Sequence, residues 1–268
     1  MEYIKYLILG LIQGITEPIP VSSSGHIFLF KNLFDTELFN TLNFEIISNF
    51  GSFLAILFIF RKDIIELIKQ FFTFLFKKEK KGKNKDGFMY VIKLIISTIP
   101  VGISGILFND YLEANYTSLK FLAIAFIFTA LMLYIVRNIK GEKNSYQITF
   151  KDAILIGLFQ AVTIIPGISR SGTVLVACLI CKLKREDALK YTFMLYFPVS
   201  VGTMLLKAPE LINTPTSLLM PYLLGMCAAL TVTYFSYQWL SNIVKKGKLW
   251  KFSIYCLCLA LFIFIYFR

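Results

Sequence analysis

A chain of 268 residues that is 57% hydrophobic and only 16% charged, with 27 phenylalanines and a mean hydropathy of +0.68, is too apolar for a soluble domain of its size. The net charge of +12 does not point to nucleic acid. Twenty-one of the 28 Lys and Arg lie in four short segments: nine in residues 61–87, and four each in 137–151, 181–190 and 241–251.

Apolar runs near the ~20 residues needed to cross a bilayer recur along the chain, so one polytopic membrane domain is expected. The N-terminal apolar run leads into a polar motif rather than a small-residue cleavage site, so no cleaved signal peptide is expected. Basic residues gathered in alternate loops orient a membrane protein with those loops in the cytoplasm. They also favour an anionic leaflet surface.

In chain order, residues 2–30 carry Pro18-Ile19-Pro20 and read as a hairpin dipping in from outside. Spans are then expected at 44–60, 88–108, 119–136, 188–206, 217–240 and 252–267, with loop 31–43 and both termini outside. Residues 152–180 break the alternation, because they are apolar yet flanked at both ends by basic segments. A segment that enters and leaves on one side must turn back, and Ile165-Pro166-Gly167-Ile168-Ser169 suits that turn. The expected fold is thus an all-α polytopic membrane protein with about six transmembrane helices plus two re-entrant helix hairpins. It is an inverted-topology repeat, with repeat one about 1–136 and repeat two about 150–268. Irregular backbone at membrane depth is tolerated only inside protein or beside a wet cavity, so the two hairpins are expected to meet around a polar site.

The repeat is legible in the residues themselves. GLIQGITEPIPVSSSG (10–25) and GLFQAVTIIPGISRSG (157–172) match at seven of sixteen positions without a gap. Broken helices at corresponding places in two halves are a pointer to a membrane binding site. Gln13 and Glu17, four apart, share a helix face that should end at Pro18. Ser22, Ser23 and Ser24 follow, as N-caps for a returning half-helix whose free amides attract phosphate. Ser169, Arg170, Ser171 and Thr173 hold the same places in the second copy. Arg170 is the only charged residue between Asp152 and Lys182. A charge there is costly, and its planar fork suits phosphate oxygens.

Where the copies diverge, Glu17 faces Ile164, Ser23 faces Arg170 and His26 faces Thr173. One copy keeps a carboxylate and the only imidazole, the other a guanidinium. Together they suit phosphoryl transfer, in which positioning and charge neutralisation carry most of the catalysis. Glu17, Ser23, His26 and Arg170 are the expected catalytic set, with Gln13, Ser22, Ser24, Ser169, Ser171 and Thr173 around the substrate. The nucleophile stays open between Ser23, His26 and a metal-activated water. Taken singly, each feature has a plain structural reading, such as packing serines or a core histidine; their coincidence at repeat-equivalent positions favours a site. Glu45 and Asn49, four apart on span 44–60, are weaker candidates. The five cysteines all lie in apolar segments, and Cys178-x-x-Cys181 reads as small buried helix residues rather than as half of a metal site.

At these motifs the chain resembles the undecaprenyl-diphosphate phosphatases, also called bacitracin-resistance proteins. Gln13 and Glu17 match the family's first motif, and the stretch from Pro20 to His26 matches the Pro-Val-Ser-Ser-x-Gly-His that follows. Pro166, Gly167, Ser169, Arg170 and Ser171 match the second motif. The threonine that closes that motif falls on Val174 here, with Thr173 one position early. The resemblance implies hydrolysis of the terminal phosphate of a C55 polyprenyl diphosphate in the bacterial plasma membrane, recycling a carrier lipid for cell-wall synthesis. It also implies a divalent cation, Mg2+ or Ca2+, with Glu17 and Gln13 as its ligands. Membrane lipids and the polyprenyl diphosphate are the expected partners, with self-association left open. The site is expected to face the outside. The competing reading is a polyprenyl-phosphate flippase or other alternating-access transporter, since inverted repeats with broken helices are typical of carriers. A carrier, however, has little need for His26 beside Glu17 and Arg170.

Overall fold

The structure, a computed structural model, describes residues 2–33, 42–76, 82–115, 118–211 and 214–267. Among them there are ten α-helices and no strand beyond one isolated bridge between Lys143 and Leu183. The helices are α1 (Glu2–Thr16), α2 (Ser23–Leu33), α3 (Leu42–Phe76), α4 (Lys83–Asn115), α5 (Leu119–Ile135), α6 (Phe150–Ala161), α7 (Arg170–Ile180), α8 (Arg185–Leu211), α9 (Thr216–Lys245) and α10 (Trp250–Tyr266).

Each of the six expected spans is a helix. Four helices (α3, α4, α8 and α9) are long and apolar enough to cross a membrane by length and composition. The other two, α5 and α10, have 17 residues each. At 1.5 Å per residue that is about 25 Å, short of a ~30 Å hydrocarbon core. They pack on each other, and Ser253 Oγ donates to the Ala130 carbonyl at 2.6 Å. The four long helices overrun the expected spans, and the largest difference is in α3. Residues 61–76 are not loop but the continuation of α3. They contain no Gly or Pro to stop it, and buried Leu67 keeps the run packed. Residues 34–41 of the expected outer loop and 77–81 of the basic loop lie outside the described residues.

The outer helix faces are apolar. Ile99, Ile103, Leu131, Phe235, Trp239 and Ile254 are all at least half exposed. Such a continuous apolar surface is wrong for water and right for lipid. Inside, α7 is sheathed: every residue from Gly172 to Leu179 is buried.

The four basic segments converge on one end of the bundle. Lys190 pairs with Asp63, Lys143 with Asp152 at 2.9 Å, and Lys245 with Glu186 at 3.6 Å. The Lys184 N–H donates to the Lys143 carbonyl at 2.8 Å. The opposite end carries Lys31 paired with Glu45 at 2.7 Å, and Asn43 donating to Thr214 at 3.0 Å. Helix α1 starts at this second end, where Tyr6 packs on Phe44 and Tyr222, and α2 returns to it at Lys31. Helix α6 starts at the basic end, at Asp152. Helix α7 returns there, with the Lys182 carbonyl accepting from Glu142 and Lys143 N–H at 3.0 Å each.

The two sequence copies also exchange partners. Helix α1 packs on α9, while its counterpart α6 packs on α4. Gly10 and Gly157, equivalent in the repeat, permit both approaches. A Cβ at Gly10 would lie 2.1 Å from the Gly225 carbonyl oxygen, and one at Gly157 2.8 Å from that of Ser97.

Candidate active site

Each copy breaks its helix by the same device. In the first, α1 ends at Thr16, the Glu17 N–H closes a last turn on the Gln13 carbonyl at 2.9 Å, and Pro18 and Pro20 prevent continuation. Ser22, at φ +69, turns the chain, and its hydroxyl accepts from the Gly25 N–H at 3.2 Å at the start of α2. In the second, α6 runs into a 3-10 turn at Val162–Ile164, then Pro166 and Gly167, the latter at φ +87. There the Ser169 hydroxyl caps α7 by accepting from the Gly172 N–H at 3.1 Å. Even the next contact recurs: Ser22 and Ser24 hydroxyls are 3.4 Å apart, and so are those of Ser169 and Ser171. Ser22 is the costlier turn, since a non-glycine residue at positive φ is strained unless its surroundings hold it there.

The two breaks meet. Ser171 Oγ donates to the Ile19 carbonyl at 3.3 Å, and Gly172 lies against Pro20. At this junction Glu17 gathers three donors. Arg170 Nη2 donates to its Oε1 at 2.7 Å, while Ser23 Oγ at 2.5 Å and Gln13 Nε2 at 3.0 Å donate to Oε2. Gln13 Nε2 also reaches Asn49 Oδ1 at 2.8 Å. The Arg170 guanidinium carbon sits 4.6 Å from the Tyr196 ring centre, a cation–π contact that fixes its other face. The Glu17 side chain is only 7% exposed, against 29% for Arg170, so the guanidinium is the more open partner.

A cavity of about 490 Å³ opens beside this cluster. Glu17, Ser22, Ser23 and Ser24 line it from the first break; Ser169, Arg170 and Ser171 line it from the second. The N-termini of α2 and α7 both open onto it, bringing backbone amides that favour an anion. Its wall continues along Val101, Gly105 and Ile106 of α4, and Thr203, Leu206 and Lys207 of α8, toward the end opposite the basic segments. A smaller cavity of about 110 Å³ adjoins it and shares Asn49, Arg170, Thr203 and Lys207. The weaker candidates Glu45 and Asn49 both line that one, with Glu45 engaged by Lys31.

Three expected site residues do not line the cavity. His26 is buried, with Nδ1 2.7 Å from the Ser22 carbonyl and Nε2 2.8 Å from the Tyr255 hydroxyl. A carbonyl on Nδ1 requires the proton there, so Nε2 accepts from Tyr255 and both nitrogens are engaged. The ring stacks on Tyr255 of α10 and meets Phe126 of α5 edge-on, because one turn into α2 it faces those helices rather than the cavity. Thr173 is buried within α7, and Val174 occupies the wall in its stead. Gln13 stands behind Glu17 as a donor to the carboxylate.

Nothing in the sequence marks Tyr196 and Tyr255 as site residues. Both lie in long apolar helices with no motif around them, and only tertiary contact gives them roles. Gln160 also lines the cavity, with its amide buried at the wall. In the sequence it is the repeat partner of Gln13.

Among the described residues no group of three His, Cys, Asp or Glu is arranged to hold a metal ion. Cys178, Cys181 and Cys256 are free, buried thiols; Cys227 and Cys258 are exposed on outer helix faces rather than buried. Chemically, the cluster joins a hydroxyl to a carboxylate able to take its proton, beside a guanidinium able to hold an oxyanion.

Comparison with known proteins matches residues 6–262 to the family model described as bacitracin resistance protein BacA. An undecaprenyl-diphosphatase 1 of Bacillus cereus is 42% identical over 265 residues, covering 98% of this chain and 97% of that protein. An undecaprenyl-diphosphatase of Oceanobacillus iheyensis is 42% identical over 267 residues, covering 98% and 96%. An undecaprenyl-diphosphatase 1 of Bacillus licheniformis is 40% identical over 266 residues, covering 98% and 97%.

Proposed function

The chain belongs to the bacitracin resistance protein BacA family, and we propose that it is a multi-pass membrane phosphatase acting on undecaprenyl diphosphate. It releases the terminal phosphate and returns the monophosphate carrier lipid to cell-wall synthesis. The observation that carries this reading is the Ser23–Glu17–Arg170 cluster at the junction of the two breaks.

In this reading Ser23 Oγ attacks the terminal phosphorus while Glu17 Oε2 accepts its proton. The bond to the bridging oxygen breaks, and the lipid monophosphate leaves with that electron pair. Water then cleaves the phosphoserine. Arg170 and the amides at the starts of α2 and α7 hold the phosphoryl oxygens as charge shifts among them. Ser23 is favoured over His26 because it lines the cavity and donates to Glu17, whereas both nitrogens of His26 are engaged elsewhere.

Glu17 is the one carboxylate among the described residues lining this cavity. A single carboxylate fits a magnesium or calcium ion that enters with the diphosphate, since such ions commonly take most of their ligands from water and substrate phosphates. Glu17 and Asn49 Oδ1 would hold it, with Gln13 securing Glu17 as a donor. When bound, it would neutralise charge on the diphosphate.

The pairs α1–α2 and α6–α7 are, in this reading, re-entrant hairpins of an inverted repeat spanning about 1–136 and 150–268. Their anchoring at opposite ends of the bundle supports it. The convergence of the basic segments supports a cytoplasmic placement for that end. The cavity wall then runs outward, so the site faces the exterior of the plasma membrane. The transporter reading has no observation in its favour that the phosphatase reading lacks.

The direct test is phosphate release from a detergent-solubilised polyprenyl diphosphate. Stoichiometric release that a chelator abolishes and added Mg2+ or Ca2+ restores is expected. Chelator-independent release would remove the cation, and absence of release in every condition would refute the activity.

A further inference from the structure

Gln160 is 1% exposed and lines the 490 Å³ cavity, and neither its Nε2 nor its Oε1 has a hydrogen-bond partner in the protein. A buried amide left unpaired on both atoms is costly, so its retention asks for an external partner. The repeat explains why the partner is missing. In the first copy the equivalent Gln13 donates to Glu17, four residues on; in the second copy that position is Ile164. The first copy uses its glutamine to hold a catalytic carboxylate. The second leaves the same amide buried at the cavity wall without a partner in the protein. Of the threonines that line the same cavity, Thr98, Thr163 and Thr192 each donate their hydroxyl back to a helix carbonyl, at 2.8, 2.6 and 2.8 Å, so their oxygens retain acceptor capacity only. Gln160 is therefore an unpaired amide donor beside hydroxyls that can only accept.

We propose that Gln160 is a substrate-binding residue for the phosphate that stays on the lipid, its Nε2 donating to a non-bridging oxygen and its Oε1 accepting from a water that hydrates that phosphate. This rests on the phosphatase reading. The terminal phosphate lies at Ser23 and Arg170, and a diphosphate has a second phosphate to place. Gln160 comes from the other half of the repeat, one helix turn before the second break, and shares the cavity with that cluster. The substrate thus bridges the two copies: its reacting phosphate on the Ser23 side, its retained phosphate on the Gln160 side.

The test is Gln160→Leu, which keeps the volume and removes both polar atoms. A merely structural amide would leave kinetics unchanged, and the apolar replacement would hold or raise the thermal midpoint. As a binding residue, its loss should raise KM for the polyprenyl diphosphate roughly tenfold with kcat within about twofold. Inhibition by polyprenyl monophosphate should weaken by the same factor, while inhibition by inorganic orthophosphate stays unchanged. Gln160→Asn, which keeps the amide but shortens its reach, should show the same split and serves if the leucine variant does not fold. Unchanged KM and inhibition constants would overturn the proposal. So would equal weakening for monophosphate lipid and orthophosphate, which would put Gln160 at the reacting phosphate. Wild-type protein assayed alongside separates the two readings: no phosphate release from it refutes the activity whatever Gln160 does.

Discussion

Arg170 and Glu17 hold each other at 2.7 Å across 153 residues of chain, and the pair is what joins the two sequence copies into one site. Removing either would leave the other charge poorly compensated in a partly buried place, so their variants mix stability with chemistry. His26 offers a cleaner comparison. Its sequence position, three residues beyond Ser23, suggests a proton-transfer group. Its contacts instead tie α2 to Tyr255 of α10, 229 residues away. His26→Ala should therefore act on the fold. It vacates a buried ring and leaves the Tyr255 hydroxyl without its partner, at a cost of about 2–4 kcal/mol. The expected outcome is a lower thermal midpoint with kcat kept within about threefold at a temperature where the variant is folded. A loss of ~10² or more in kcat with an unchanged midpoint is the signature of a general acid or base, and would return the imidazole to the mechanism.

Among the elements, the positions of the four long apolar helices and of the shorter α5 and α10 are readable from hydropathy alone, and both breaks from their prolines and serines. The repeat was readable because Gly10/Gly157, Gln13/Gln160, Ser22/Ser169, Ser24/Ser171 and Gly25/Gly172 are identities under one constant offset. What stayed hidden depends on packing between distant segments. The α3 extension through residue 76 is carried by an amphipathic stretch that reads as loop when judged by charge. Tyr196 became a partner of Arg170 only through the seating of α8, and Val174 rather than Thr173 faces the cavity because of the rotation of α7. The glycines at the helix crossings yield an ordered expectation. Gly10→Val places a Cβ 2.1 Å from the Gly225 carbonyl oxygen, where backbone must move; Gly157→Val meets Ser97 O at 2.8 Å. Both should destabilise, by about 1–3 kcal/mol or more, and Gly10→Val the more severely. Thermal midpoints of the two purified variants decide it, and a Gly10→Val midpoint equal to wild type would contradict the close α1–α9 approach.

At the scale of the whole molecule, the charge pattern becomes geometry. Four basic segments far apart in sequence share one end through Lys190–Asp63, Lys143–Asp152 and Lys245–Glu186. The proposed topology, with positive loops in the cytoplasm, has that end inside and both chain termini outside. Cysteine labelling in intact cells, on a background without the native cysteines, should leave position 82 unreactive to an impermeant reagent and make position 3 reactive. Labelling at 82 from outside would invert the whole arrangement.

In the proposed mechanism Ser23, activated by Glu17 and set against Arg170, cleaves the diphosphate at the meeting of the two breaks. Phosphate release from polyprenyl diphosphate by purified Ser23→Ala, measured beside wild type with thermal midpoints for both, decides whether Ser23 is the nucleophile. The expected result is an unchanged midpoint and a rate lower by at least ~10³-fold, as for loss of a nucleophile. A folded Ser23→Ala protein that releases phosphate at near the wild-type rate would contradict it.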